Sequence, residues 1–353
     1  MNYSVRPPQC DDKTILDITM NLYLYPAVLI AHRLGIFEFI ALHPCNLTDI
    51  CAQANVERRP AETLVMALLA LKLIDRDGET FSLTPEAETF LLKNNPHYFG
   101  YFWDLMVENS EIFSLKNLES AIRKNTSQVY GEQELFETHT LDADRMRRFT
   151  HAMHSLSMGS ASVWPALLPL GACRAALDIG GASGAHAISL AAHWPTLTCT
   201  VFDLPEVCPL ATDYTRHYGL SQRIGTHSGD MWRDPYPAAD LHLYSNIFHD
   251  WPMDKNRFLA QKSYAALPPG GRIVIHEVLY NDDGDGPPAA AGYSLMMMGW
   301  TQGRQYSGRE IGDLLRDVGF GPAQVLPSLG YFSIVTAPWL AASSALVTLL
   351  SSG

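Results

Sequence analysis

Apolar positions dominate residues 14–42, where TILDITMNLYLYPAVLIAHRLGIFEFI opens a run that is apolar nearly all round at helical spacing. The pattern predicts one long helix that must be buried, against a partner subunit or against the chain's other domain. Residues 46–92 then follow a winged-helix rhythm. Asn46-Leu47-Thr48-Asp49 opens one helix and Arg59-Pro60-Ala61-Glu62 a second. IDRDGETFSLT predicts a hairpin turning at Asp77-Gly78, and Thr84-Pro85-Glu86 starts the next helix with proline in its first turn. Residues 98–170 read as further helices. From residue 172 strands and helices alternate as far as Gly319, and GYFSIVTA supplies a last strand, as a parallel α/β sheet requires. The junction is expected near Leu170-Gly171. The closing stretch WLAASSALVTLLSSG is apolar but too short to span a bilayer, and no function is assigned to it.

Residues 176–203 carry the most specific pattern. An apolar run ends at Asp178, and the small-residue loop Gly180-Gly181-Ala182-Ser183-Gly184 follows. A helix-like stretch and a second β-like run ending at Asp203 complete the unit. Strand, tight turn, helix, strand and acid make the layout of a mononucleotide site in a doubly wound sheet. A dinucleotide site would need G-x-G-x-x-G, and from Gly180 the third and sixth positions are Ala182 and Ala185, so that fingerprint fails.

Composition narrows the function. A 353-residue chain with 47% hydrophobic and 18% charged residues fits a globular protein with a large core, in two domains or one with a substantial appendage. The formal charge of −12 disfavours nucleic acid or an anionic membrane as partner, because phosphate binding is driven by Lys and Arg. The winged-helix rhythm invites a DNA-binding reading, but residues 1–110 hold eight Lys/Arg against fourteen Asp/Glu, which denies it a basic face. The six cysteines form no C-x-x-C and no zinc pattern, and no metal cluster is visible. Reduced thiols and the lack of a charged n-region before an apolar stretch point to a cytoplasmic protein.

Starting at Asp178, an acid followed by a glycine-rich turn resembles the first motif of S-adenosylmethionine-dependent methyltransferases. Later segments extend the resemblance in the order that family requires: FDLPEV, then SGDMWRDPYP with Asp230 and Met231, and ADLHLYSNIFHDW with Asp240 before a strand and His249-Asp250-Trp251 after it. ALPPGGRIVIHEVLY ends a strand at Glu277, and GRQYSGREIGDLLRDVGF leads into the helix that stops at Gly319. The chain looks like the class I small-molecule O-methyltransferases of plant phenolic and bacterial natural-product metabolism, from about residue 14 to about residue 337.

The resemblance implies a Rossmann-like α/β fold with a mostly parallel sheet of seven strands. It implies a helical winged-helix dimerisation and substrate-lining domain over 1–170, a catalytic domain over 171–337 and a tail over 338–353. The partners it implies are S-adenosyl-L-methionine, a small aromatic or enolic acceptor and a second copy of the chain. Asp178, Gly180, Gly181 and Gly184 would shape the turn around the methionine portion. Asp203 would accept bonds from the ribose diol, with capping of the next helix as its alternative role. Asp230 and Met231 would bracket adenine, unless the acid belongs to an ordinary surface turn. Ser245 stands where plant relatives carry a lysine. The family has a third glycine where this chain has Ala182, a change tolerated at right-handed or extended backbone but not easily at positive φ.

His249 would be the general base, titrating between pH 5 and 9 and taking the acceptor's proton as attack begins. Asp250 and Trp251 read as structural, fixing the loop, and His276 as packing. Glu277 would orient the base. Gln305 replaces the family's second glutamate; an amide can hold a ring but cannot neutralise an imidazolium. Met153, Met296 and Trp300 would line the acceptor. Carbon or nitrogen methylation on the same fold is the alternative activity, and a non-methylating member, such as a pericyclase, is a third.

Overall fold

The computed structural model describes residues 7–130 and 142–340, and the chain divides into two compact units between Trp103 and Asp104. In the first, helix α1 (Lys13–Arg33) ends at Leu34 and Gly35, where φ is +67°, and α2 (Ile36–Leu42) starts anew. The single helix expected over 14–42 is therefore broken: Gly35 takes a left-handed turn that apolar neighbours on both sides disguise in the sequence. Only Val28, Ala31 and His32 of α1 are buried, while Ile15, Ile18, Leu22 and Tyr23 are 65–68% exposed. By length and composition alone α1 is also apolar enough to cross a membrane.

Strand β1 (Cys45–Asn46) leads into α3 (Leu47–Ala54) through a capping box. Asn46 Oδ1 accepts the Thr48 and Asp49 amides at 2.8 and 3.1 Å, and Asp49 Oδ2 accepts the Asn46 amide at 2.9 Å. Such a cap contributes about 1 kcal/mol. After α4 (Arg58–Ala70), strands β2 (Ile74–Asp77) and β3 (Thr80–Leu83) form the expected hairpin, with Gly78 at φ +59° in the turn and a sheet order β1-β3-β2. Helix α5 (Pro85–Phe90) follows, its Ala87 amide capped by Thr84 Oγ1. Ile36, Phe37, Ile50, Leu68 and Ile74 form this unit's core.

Helix α6 (Gly100–Glu108), α7 (Leu115–Lys124) and α8 (Ala143–Ala161) precede the large sheet. The sheet is built from β4 (Ala175–Ile179), β5 (Thr198–Asp203), β6 (Ile224–Ser228), β7 (Leu241–Ser245), β8 (Arg272–Val278), β9 (Gln324–Pro327) and β10 (Phe332–Pro338). Between them run α9 (Ala185–His193), α10 (Cys208–His217), α11 (Met253–Ala266), α12 (Pro288–Trp300) and α13 (Gly308–Val318). The order is β6-β5-β4-β7-β8-β10-β9, parallel except for β10, which runs antiparallel to both β8 and β9. This is the seven-stranded Rossmann-like sheet the sequence led us to expect.

Alternating strand residues serve two cores. Ala176, Leu241, Leu243 and Val274 pack with α8 and α9, whereas Leu177, Ile179, Tyr244 and Ile275 pack with α11 and α13. The α/β alternation begins at β4, close to Leu170-Gly171. Helix α8, through Met158 and Ala161, and the short turn at Trp164 already belong to the sheet's core, so the division into compact units falls earlier. At the other end Trp339 stacks on Tyr264 at 5.7 Å and donates to its carbonyl at 3.0 Å. Residues 341–353 lie outside the described residues. The chain passes from β4 outward to β6 and returns to β7, so the strand order reverses between β4 and β7, and a ligand crevice is expected at their carboxyl ends.

Candidate active site

The β4 end of the crevice is the glycine turn. Gly180 has φ +66°, and a Cβ there would lie 2.5 Å from Ile247 Cδ1; at Gly181 a Cβ would lie 2.7 Å from Asp178 Cγ. Neither position admits a side chain without displacing the loop or the acid. Ala182 adopts φ +49°, the left-handed region that disfavours alanine, and its amide donates to Asp203 Oδ2 at 2.8 Å. The Leu204 amide donates to Asp203 Oδ1 at 2.7 Å. Asp203 thus ties the turn to the end of β5, with lone pairs on both oxygens still able to accept. Asp178 Oδ2 accepts the Ala187 amide at 3.2 Å, at the start of α9. Burial pushes Asp178 up to about 7 and Asp203 up to about 6, against the amide bonds that favour their ionised forms.

Asp230, Met231 and Ser245 complete the expected cofactor set. Asp230 Oδ1 accepts the Trp232 amide at 2.8 Å, and Oδ2 lies 3.5 Å from Arg233 Nε, so this side chain stabilises its own turn. Met231 is half-buried, and Lys262 Nζ donates to its carbonyl at 2.6 Å. Ser245 Oγ lies 3.1 Å from His276 Nδ1, and His276 stacks on Phe332 at 4.8 Å. His154 of α8 reaches the turn as well: its Nδ1 lies 2.9 Å from Ser183 Oγ, and its ring stacks on Tyr214 at 4.0 Å.

At the β7 end the chain enters a 3-10 turn, Phe248–Asp250, that carries His249. Glu277, from the neighbouring β8, fixes this turn. Its Oε1 accepts the amides of Ile247, Phe248 and His249 at 3.1, 3.0 and 3.4 Å. The His249 ring is buried, with Nδ1 2.9 Å from Gln305 Nε2 and 3.2 Å from Glu277 Oε2, and Nε2 3.6 Å from Asp250 Oδ1. The structure therefore brings His249, Glu277 and Gln305 together. Burial pushes the imidazole down to about 3, although the Gln305 bond works the other way, and pushes Glu277 up to about 8 against its three amides. Both directions favour neutral forms, so the 3.2 Å contact between His249 and Glu277 is not an ion pair in the free enzyme. The titration expected for His249 between pH 5 and 9 is accordingly displaced below that range. Asp250 is likewise raised by burial and by Glu277.

Two further residues escaped the sequence reading. The Tyr293 ring meets His249 edge-on at 5.1 Å, seven positions before Trp300 on the same helix face. A Cβ at Gly303 would lie 2.3 Å from the His249 carbonyl oxygen and 2.5 Å from the Trp251 nitrogen, so only glycine lets this segment pack on the His249 turn. Of the expected acceptor residues, Met153 and Met296 are half-buried. Trp300 is buried, stacked on Phe113 at 5.8 Å and tilted on Phe149 at 6.2 Å, with a side-chain hydrogen bond to Tyr130. Among the described residues no group of three or more His, Cys, Asp or Glu is placed to hold a metal ion.

A reversed-order parallel sheet with a glycine turn at its crevice is the layout of a nucleotide- or nucleoside-binding α/β protein, here with a buried histidine at the end of β7. Comparison with known proteins makes this specific. The O-methyltransferase domain profile matches residues 115–321. A 3-hydroxy-5-methyl-1-naphthoate 3-O-methyltransferase of Streptomyces sahachiroi is 33% identical over 318 residues, 89% of this chain and 91% of that protein. The tetracenomycin polyketide synthesis 8-O-methyl transferase of Streptomyces glaucescens is 29% identical over 309 residues, 87% of this chain and 90% of its own. Crystalline human N-acetylserotonin methyltransferase shares the fold with a TM-score of 0.81 at 24% identity, covering 95% of this chain and 100% of that one. The chain belongs to the O-methyltransferase family, and it is an S-adenosylmethionine-dependent enzyme.

Proposed function

We propose that the enzyme methylates a phenolic or enolic hydroxyl of a small aromatic metabolite, with His249 as general base. The observation that carries this reading is the His249 ring, buried at the carboxyl end of β7 and held at Nδ1 by Glu277 and Gln305. When bound, S-adenosyl-L-methionine supplies an activated methyl group and a neutral leaving group, so the protein's tasks are alignment and deprotonation.

The crevice suits this cofactor. Two carboxyls, the buried Asp178 and the half-buried Asp203, stand at the ends of adjacent strands with pKa values raised by desolvation, and a ligand bearing cationic groups and a diol relieves both. In our reading Asp178, Gly180, Gly181 and Gly184 surround the methionine portion and Asp203 takes the ribose hydroxyls. Met231 packs on adenine. Asp230 supports that contact through its turn, keeping lone pairs for the exocyclic amine, and Ser245 contributes a hydroxyl set by His276.

For catalysis the proton belongs on Nδ1 of His249, donated toward Glu277 Oε2 or toward the Gln305 amide oxygen after a half-turn of that amide. Nε2 then presents its lone pair to the acceptor hydroxyl beside Asp250. A well-placed base contributes about 10²–10⁴-fold, and the lowered basicity of the buried His249 sets its share at the lower end, about 10²-fold. Met153, Met296 and Trp300 form the acceptor's walls. The activities for which the naphthoate and tetracenomycin relatives are named support an aromatic acceptor. We further infer a cytoplasmic homodimer in which a second copy covers the exposed apolar residues of α1, with neither nucleic acid nor membrane as partner.

The test is His249→Ala, assayed by labelled-cofactor turnover against phenols, enols and amines, with cofactor affinity measured by calorimetry. Turnover should fall by about 10²-fold or more while affinity holds. Full activity in the variant would remove acid–base catalysis from the account, and methylated amines as the only products would move the reading to nitrogen transfer.

A further inference from the structure

A cavity of about 150 Å³ lies between α6, α8 and the end of α12. Its walls include Glu108, Arg145, Arg148, Phe149 and Trp300. In volume this is about the space of one benzene ring, with Leu105, Phe149 and Trp300 as its apolar wall and Glu108, Asn109, Arg145 and Arg148 as its polar one. Two arginines against one glutamate give it a net positive charge, in a chain whose formal charge is −12. Arg148 Nε pairs with Glu108 Oε2 at 3.2 Å, whereas Arg145 forms no ion pair among the described residues.

Helix α12 connects this cavity to the base. Tyr293, Met297 and Trp300 share one face at spacings of four and three residues. Tyr293 meets His249, and Trp300 lines the cavity. Seven residues of helix rise roughly 10 Å, about the reach of two fused rings with their substituents. Tyr130 bonds Trp300, and the charges of Asp250 and Arg145 both act on its hydroxyl.

We propose that this cavity takes the far end of the acceptor, a carboxylate on a fused aromatic ring system, with Arg145 as its partner and Trp300 against the ring. The enzyme then methylates hydroxylated aromatic acids in preference to neutral phenols of the same shape. This rests on the acceptor reading above and narrows it. A guanidinium matches a carboxylate in planar, two-point geometry, which a lysine ammonium does not reproduce.

The experiment compares a hydroxynaphthoate with the naphthol lacking its carboxylate, in the full-length enzyme with S-adenosylmethionine. The wild type should show higher kcat/KM for the acid. In Arg145→Met the acid-to-naphthol ratio of kcat/KM should fall about 10–100-fold, carried mainly by KM for the acid, and Arg145→Lys should recover part of it. Using a ratio within one variant removes any general loss of folded protein. A wild-type ratio at or below one, or a ratio unchanged in Arg145→Met, overturns the proposal while leaving O-methylation intact. Turnover of neither compound, with the cofactor bound, would instead sink the acceptor reading on which the proposal rests.

Discussion

Replacing Ala182 by glycine isolates the strain in the first turn of the crevice. Alanine at φ +49° carries a penalty of about 1–2 kcal/mol relative to a relaxed backbone. Glycine removes that penalty but gives the unfolded chain more freedom, which costs about 0.4–1 kcal/mol. The balance is a gain of roughly 0.5–1 kcal/mol, or about 1–4 °C in Tm for a unit of this size. The amide of residue 182 keeps its bond to Asp203 in either case, because that bond uses only backbone and the acid. The strain is present in the protein by itself, so it shifts folding rather than binding: the affinity for S-adenosylmethionine should change less than threefold. Differential scanning fluorimetry and calorimetry measure the two quantities separately. A variant with lower Tm than the wild type would refute the strain argument. A tenfold tighter cofactor would show that residue 182 relaxes only in the free enzyme and is strained by the ligand.

Because burial holds His249 down to about 3, the imidazole is already neutral at pH 5, and its loss of function through protonation comes only at more acidic pH. The kcat/KM profile, which reports the free enzyme, should therefore show no acid limb from His249 near 6.5, and a limb there would contradict the buried geometry. Gln305→Glu places a carboxylate against Nδ1, favours the imidazolium, and should move the acid limb toward neutral pH; an unmoved profile would remove Gln305 from the base's environment. For the dimer, sedimentation velocity should give twice the chain mass for the wild type and less for Leu22→Glu, which puts a charge on the exposed face of α1. A monomeric wild type would leave those apolar residues without the proposed cover.

The sheet was legible in the sequence, and so was the gathering of His249, Glu277 and Gln305, because local signals agreed. The Asp178–Gly184 turn, Gly319 at the end of α13 and Asn46 with Asp49 at α3 each join a backbone requirement to a residue type that meets it. What the sequence hid was long-range or competing. Glu277 was expected near the base, but its hold on three amides 28–30 residues earlier is a property of strand register. Gly303 carries no signal of its own in the sequence; the His249 carbonyl, standing where its Cβ would be, gives it a role. Asp230 matched the cofactor motif, and its turn-forming capacity was equally visible; the folded chain shows the turn bond, alongside which we propose the adenine contact. Tyr293 stood in an apolar helix with nothing local to distinguish it, and only the packing of α12 beside the 3-10 turn gives it a role.

The three amides gathered on one Glu277 oxygen separate the reactive centre from the surfaces that choose its target. The His249 ring, our proposed base, inherits the stiffness of a central strand, while Met153 on α8 and Met296 on α12, the acceptor walls we propose, take no part in those bonds. Libraries randomised at Met153 and Met296 should accordingly yield many variants with altered acceptor range and few with damaged chemistry, a division of labour by which one reaction core can be retargeted again and again.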